Sequence, residues 1–504
     1  MTGGQEPVLF DIRACGARPG PEHLNTGPIQ RAIESAHQAG GGTVYCPAGT
    51  FVTGTLRLKS RVNLHLEAGC TLLASPRRED YQDPSGVAES DAFGFENVSD
   101  AHLIIGYQVE DAAITGFGSI DGNSRAFLPL SGPKWDRKAF AWRPGQLIYF
   151  CRSDRIRVEG VSLLNAPYWT LFFHGCRDVR VNRLRIENPP ETPNGDGIDI
   201  DCCRNILVSD CLVDSGDDCL TIRAHARPLG AHALACENVV VRNCVLSSPC
   251  NAVRVGVGAG EIRNCLISGL VIQHSRTGLN LFSCYGDFEP PGAAIRGLRF
   301  SDLVIEAEMP FMFTTGRRGQ APVEDLVLSN ISARASRASY FGGRSGNPIR
   351  GLTLENIIYT LDGGRETPPL SLAEFELRRE AESGLAAGGL PVGLVFWDVE
   401  DLAVDRLRFR PGRGEGRWDH LIYGRNLDRI RLTGCELAGR FSPAPGAAIR
   451  LADCRRTAVI GCAAGPEADP FLAVEGAGPP EPVTMIGNDL SRCRQPITGA
   501  PAAG

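Results

Sequence analysis

The sequence predicts an all-β fold, a single-stranded right-handed parallel β-helix closed by an N-terminal capping helix. Three observations predict it. An eight-residue pattern of alternating apolar positions recurs along most of the chain. The middle of each copy carries Gly, Asn, Asp or Arg. A lone 3.6-period segment precedes the first clear copy. Each copy is too short to bury a face alone and can do so only by stacking on the next, which is the logic of a solenoid.

The copies begin at Ile156 (IRVEGVSL), Val179, Ile206 (ILVSDCLV), Val239, Cys265, Leu298, Leu326, Leu352, Leu402 and Ile430. Each reads as two short period-2 strands meeting at a bend. Gly160, Asp210, Asn243, Gly269, Asp302, Asn330, Asn356 and Gly434 occupy the bend, residue types that tolerate left-handed backbone or bond to their own main chain. Cys211, Cys244 and Cys435 then share one slot, so many of the 18 cysteines are expected as reduced, buried small residues. There is no C-x2-C pair, and no metal site is expected.

The segment NTGPIQRAIESAHQAGG from Asn25 has helical spacing at Ile29, Ala32, Ile33 and Ala36 and ends in glycines. It is expected to cap the open end of the stack, where strand edges would otherwise be bare. One β-helix domain is expected over residues 1–504, with 1–60 as cap and first strands. Residues 362–394 are expected as an inserted loop and helix (LSLAEFELRREAESGLAAGG), and 465–504 as a C-terminal tail or cap. Residues 79–99 and 122–146 read as loops able to wall a groove.

A formal charge of -6 and no basic block leave no electrostatic footprint for nucleic acid or an anionic membrane. No stretch is apolar for the roughly 18 residues of a membrane span. The N-terminus has no signal-peptide pattern. The expectation is therefore a cytoplasmic protein, or a secreted or periplasmic one if a signal was removed.

The stretch NPPETPNGDGIDIDCCRNILVSDCLVDSGDDCLTIRA, residues 188–224, concentrates carboxylates between apolar runs. A second short strand in each coil aligns DGIDI, DCLTI, NAVRV and TGLNL, which puts Asp196, Asp218, Asn251 and Thr277 in one column. Neighbouring rungs are roughly 4.8 Å apart, so Asp196 and Asp218 are expected to stack, with Asp217 splayed beside them. Like charges that close raise at least one pKa, a cost that a purely structural column avoids. A pair able to hold a water and a third group able to protonate a leaving oxygen suit glycoside hydrolysis. Turn punctuation by Asp and calcium ligation are the other readings of the same residues.

At these residues the chain resembles glycoside hydrolase family 28, the polygalacturonase family, over roughly residues 23 to 300. The resemblance rests on AGGGTVYCPAGTF from Ala39, GFGSIDGNS from Gly116, RPGQLIYF from Arg143, NGDGIDID from Asn194 and SGDDCLTI from Ser215. The family's Asn-Thr-Asp-Gly motif stands here as Asn194-Gly195-Asp196-Gly197, and its Gly-Asp-Asp motif as Gly216-Asp217-Asp218. The resemblance implies a parallel β-helix, no cofactor and no metal, and inversion of anomeric configuration. It implies Asp217 as general acid, with Asp196 and Asp218 positioning and deprotonating water. Inverting pairs usually stand roughly 6.5–9.5 Å apart, whereas rung neighbours are closer.

Two family contacts are absent. Cys250-Asn251-Ala252 replaces Gly-His-Gly, and Asn280-Leu281-Phe282 replaces the Arg-Ile-Lys that grips a uronate. Arg254 and Arg223 are the candidates to restore positive charge. With Asn251, Asn280, His174 and Asp199 they form the expected substrate-contacting set; Tyr168 and Trp169 could stack on sugar rings. The expected function is an inverting, metal-independent glycosidase acting on a pectin-like or other plant-derived oligosaccharide. Exo action is expected because a polymer would not reach the cytoplasm, and a neutral sugar or rhamnose-containing fragment fits the lost cations. A calcium-dependent β-helix lyase with an Arg base and a non-catalytic carbohydrate-binding β-helix are the alternatives.

Overall fold

The computed structural model describes residues 8–90, 98–129, 134, 142–285, 290–316, 318–362, 370–371, 374–375, 387, 389–414, 416–442, 446–465, 467–476, 481–493, 495–499 and 502–503. The described residues divide into two compact units, Met1–Cys250 and Asn251–Gly504. Both are parallel β-helix.

In the first unit, helix α1 (Thr26–Gln38) buries Ile29, Ala32, Ile33 and Ala36, the four positions its spacing singles out. Asn25 precedes it, but its side chain is spent elsewhere. It accepts from the Arg18 amide at 2.8 Å and donates to the His23 carbonyl at 2.7 Å, tying the entering chain rather than the helix. The octets then stack in register. Val158 pairs with Val181, Val181 with Val208 and Val208 with Val241, and all four side chains are fully buried. Each such burial is worth about 1.5–3 kcal/mol, and no coil could collect it alone.

All eight bend residues named from the sequence have positive φ, from 51° at Asn356 to 80° at Gly160. Only Gly, and Asn or Asp with less ease, adopt this backbone cheaply. In several coils of the second unit the two strands of an octet run on as one, as in Val323–Ala335, with Asn330 at φ 55°. Its side-chain amide donates to Asp302 at 3.1 Å and its carbonyl oxygen accepts from Asn356 at 2.9 Å, which makes a polar ladder along the bends. Replacing Asn330 by Val is expected to lower stability by about 2 kcal/mol, from the left-handed strain and the lost ladder. Urea unfolding read by circular dichroism checks this.

The cysteines follow the same logic. All 18 are free and 15 are buried, and the thiols just after bends donate to the carbonyl two residues back, as Cys211 does to Ser209 at 3.2 Å and Cys244 to Arg242 at 3.2 Å.

Most of the helix expected in the insertion, including residues 376–386, lies outside the described residues. Its start is a capping box in which Ser371 and Glu374 bond each other's main chain. The C-terminal region continues the stack in short strands, Leu472–Glu475 and Val483–Ile486 among them, to Ala502–Ala503.

Candidate active site

The site region of the first unit is built on four parallel strands: β1 (Ile148–Cys151), β2 (Leu171–His174), β3 (Ile198–Asp201) and β4 (Leu220–Ala224). Their inward positions carry Ile148, Phe150, Leu171, Phe173, Ile198, Ile200, Leu220 and Ile222, with Phe150 stacked on Phe173 at 5.6 Å. Their outward positions change character from rung to rung. Tyr149 and Cys151 pair with Phe172 and His174, those with Asp199 and Asp201, and those with Thr221 and Arg223. The apolar rungs lie under one cluster containing Val87, Ile105, Tyr149, Tyr168, Trp169, Phe172 and Leu229. The outer face therefore passes from an aromatic wall to carboxylates within one step of the coil.

The acid motifs enter at the strand starts. The Gly197 amide donates to the Asp218 carbonyl at 2.8 Å and that of Ile198 to Cys219 at 2.9 Å, which places Asp196 one rung from Asp218 as the alternation predicts. Gly197 is required here, since a Cβ would stand 2.4 Å from the Cys219 carbonyl oxygen. The Asp217 carbonyl accepts from the Ser215 hydroxyl at 2.6 Å and from that of Ser248, holding the Gly-Asp-Asp turn. One carboxylate oxygen of Asp217, one of Asp218 and Sγ of Cys250 lie within 4.8 Å of one another.

These carboxylates are nearly enclosed, with Asp196 4%, Asp217 8% and Asp218 4% exposed. Burial, and then the charges of Asp199, Asp217 and Asp218, push the Asp196 carboxyl well above the usual range, against a downward pull from Arg223. Its Oδ1 has no hydrogen-bond partner among the described residues. Asp196 therefore keeps its proton to higher pH than an isolated Asp does.

Asp199 and Arg223 form the floor beside this cluster. The Arg223 guanidinium lies 3.7 Å from Asp199, 3.6 Å from Asp201 and 4.3 Å from the centre of the Trp169 ring. Asp199 accepts from Thr221. Burial nonetheless raises its pKa to about 7, with Arg223 and the Thr221 bond opposing. Between the unfolded value near 3.8 and about 7 the folded state keeps a proton that the unfolded chain releases, so this group's contribution to stability falls as pH rises through that window. The unfolding free energy of Asp199→Asn relative to the parent is expected to climb from about pH 4 to 7 and then level, by an amount on the order of a few kcal/mol. Calorimetry across that range checks it.

His174 is fully buried, its Nδ1 stands 3.2 Å from the Tyr149 hydroxyl and its Nε2 3.3 Å from the His225 carbonyl. Desolvation lowers its pKa. Trp169, 3% exposed, turns its face to Arg223, and Tyr168 is fully buried with its ring 4.9 Å from the Arg143 guanidinium. Neither offers an open stacking platform.

Three further residues hold the site, and two of them, Arg143 and Lys134, have no sequence pattern that marks them. Arg143, 1% exposed, donates to the Pro167, Pro193 and Asn194 oxygens at 3.1, 2.9 and 3.2 Å and so positions the Asn194–Gly197 motif. Asp201 accepts from the His225 amide at 2.7 Å. Lys134 donates to the Gly216 carbonyl. Arg143 and Lys134 come from loops, where no periodicity marks a side chain; Asp201 was visible by its alternation with Asp199.

In the second unit, Asn251 pairs with Thr277 and Arg254 with Asn280, in the expected register, along strands β5 (Asn251–Gly258) and β6 (Val271–Phe282). Asn280 donates to Asn251 at 2.8 Å, and the Arg254 guanidinium lies 4.3 Å from the centre of the Tyr285 ring.

The family model described as glycosyl hydrolases family 28 matches residues 87–368, more than half of the chain. A probable polygalacturonase from Vitis vinifera is 26% identical over 400 residues, covering 73% of this chain and 76% of that protein. Among solved structures, the family 28 exopolygalacturonase of Yersinia enterocolitica superposes with a TM-score of 0.61 at 19% identity, over 82% of this chain and 77% of that one. A hyperthermoactive exopolygalacturonase from Thermotoga maritima gives 0.58 at 21% identity, over 71% of this chain and 89% of that one. The lyase and pure binding readings find no support among them. With its parallel β-helix, its two aspartate motifs in order and a family match over most of the coils that carry them, the chain belongs to the glycosyl hydrolases of family 28 and is a glycosidase.

Proposed function

We propose that the protein hydrolyses a pectic oligosaccharide by exo action with inversion of configuration. The observation that carries this reading is the buried cluster of Asp196, Asp217 and Asp218, with Asp196 one rung from Asp218 and oxygens of Asp217 and Asp218 within 4.8 Å of each other. Asp217 protonates the leaving glycosidic oxygen. Asp196 and Asp218, on adjacent rungs, hold the attacking water and take its proton. The 4.8 Å limit between Asp217 and Asp218 oxygens is shorter than the roughly 6.5–9.5 Å typical of inverting acid and base pairs. The water then sits beside the stacked pair instead of between opposed walls.

Exo action is supported by the exopolygalacturonases among the similar proteins. A pectic substrate is supported by the polygalacturonases among the relatives. Arg223 is committed to Asp199 and Asp201, so the loss of the family's uronate-gripping Arg-Ile-Lys favours a neutral or rhamnose-containing terminus. Eighteen free thiols favour a reducing compartment such as the cytoplasm. Among the described residues no helix is long and apolar enough to cross a membrane.

Product sizing on oligogalacturonides and rhamnogalacturonan fragments, with EDTA throughout, tests this. Single terminal sugars from the start are the expected result. A ladder of intermediate lengths would overturn exo action, and turnover of neither series would overturn the pectic assignment.

A further inference from the structure

The thiol beside the acid cluster has no part in hydrolysis. Cys250 is 7% exposed, and its Sγ converges with oxygens of Asp217 and Asp218, all within 4.8 Å. Ser248 holds the group together, since its hydroxyl accepts from the Cys250 amide at 2.9 Å and donates to the Asp217 carbonyl. A second observation points the same way. Asp196, 4% exposed and one rung from Asp218, has a buried Oδ1 with no hydrogen-bond partner among the described residues.

We propose that Asp217, Asp218 and Cys250, with Asp196 as a further oxygen donor, form a binding site for a thiophilic divalent cation of the zinc or cadmium class, whose occupancy blocks the acid cluster. Sulfur and carboxylate ligands at about 2.3 and 2.0–2.2 Å from such an ion stand roughly 3.3–3.7 Å apart. Binding requires the three atoms to close from within 4.8 Å to that spacing. Calcium is a poor fit, because it takes 6 to 8 oxygens and gains nothing from a thiolate. A dication also relieves the repulsion among the carboxylates. As the sulfur–metal bond forms, the thiol proton passes to solvent, and the Asp217 and Asp218 oxygens that bind the ion are no longer free for acid and base work.

The proposal rests on side-chain geometry and is tested without reference to any sugar. The EDTA-treated, then desalted, full-length protein is titrated with cadmium, and the ultraviolet sulfur-to-cadmium charge-transfer band is followed. The parent is expected to show one equivalent more of this band than Cys250→Ser, with thermal melting confirming that both are folded. Zinc is expected to displace it and calcium to leave it unchanged. Asp217→Asn, which keeps the thiol, is expected to need roughly tenfold or more cadmium. Identical bands in parent and Cys250→Ser, displacement by calcium, or parent-like affinity in Asp217→Asn would each overturn the proposal. Where a substrate is turned over, zinc inhibition reversed by EDTA and weakened in Cys250→Ser, each relative to its own uninhibited rate, is the corresponding kinetic result.

Discussion

Replacing Asp217 by Asn is expected to lower kcat by roughly 10²–10⁴, the usual worth of a positioned proton donor, while melting temperature changes little. The amide keeps the shape of the side chain, and the turn is held by the Asp217 carbonyl, which accepts from Ser215 and Ser248 whatever the side chain is. The loss should fall on kcat more than on KM, because a leaving-group proton is needed in the transition state and not in substrate binding. A substrate whose leaving group needs no proton, such as a dinitrophenyl glycoside of the sugar released, should recover most of the rate. Steady-state kinetics on the two substrates checks both expectations.

The second large effect is on stability. Arg223 is the cation next to two fully buried carboxylates, and replacing it by Met leaves Asp199 and Asp201 without their counter-charge. Removing one partner of a buried ion pair typically costs about 3–5 kcal/mol. The cost has a definite pH sign. With Arg223 present the Asp199 pKa already stands at about 7, and without it the pKa moves higher. Below about pH 7 Asp199 is protonated with or without Arg223, so the gap between parent and Arg223→Met should be level there and widen as pH rises through about 7 and above. Urea melts at pH 5 and pH 8 measure it. A gap of equal size at both values would show that Arg223 acts by packing on Trp169 alone.

Much of this architecture was legible because a β-helix repeats its physics in every coil. Alternation located the inward positions, and the demand for left-handed backbone at each bend put Gly160, Asp210, Asn243 and Gly434 in place. The register of Asp196 on Asp218 followed from aligning apolar beats alone. Alternation says which side a residue faces, however, and not what covers it. Arg223 and His174 lie on the outward face, but the covering by Trp169, Leu229 and the His225 segment comes from loops without a period. Those loops make Arg223 an enclosed ion-pair partner and leave His174 fully buried. Arg143 was hidden for the same reason, since a loop arginine gripping three oxygens leaves no pattern in one sequence. The fusion of octet strands in the second unit depends on hydrogen bonds continuing through residues such as Asn330, which residue type does not announce.

The central claim is that a stacked pair of aspartates, with a third beside it, hydrolyses a glycosidic bond with a water held next to the pair. Proton NMR of the first minutes of reaction on a pectic oligosaccharide, in EDTA, with Asp217→Asn as control, tests it most directly. The account predicts a released sugar whose first-formed anomer is opposite to that of the cleaved linkage, and no signal with the variant. A first-formed anomer that retains the configuration, or unsaturated product that appears only when calcium is restored, would contradict it.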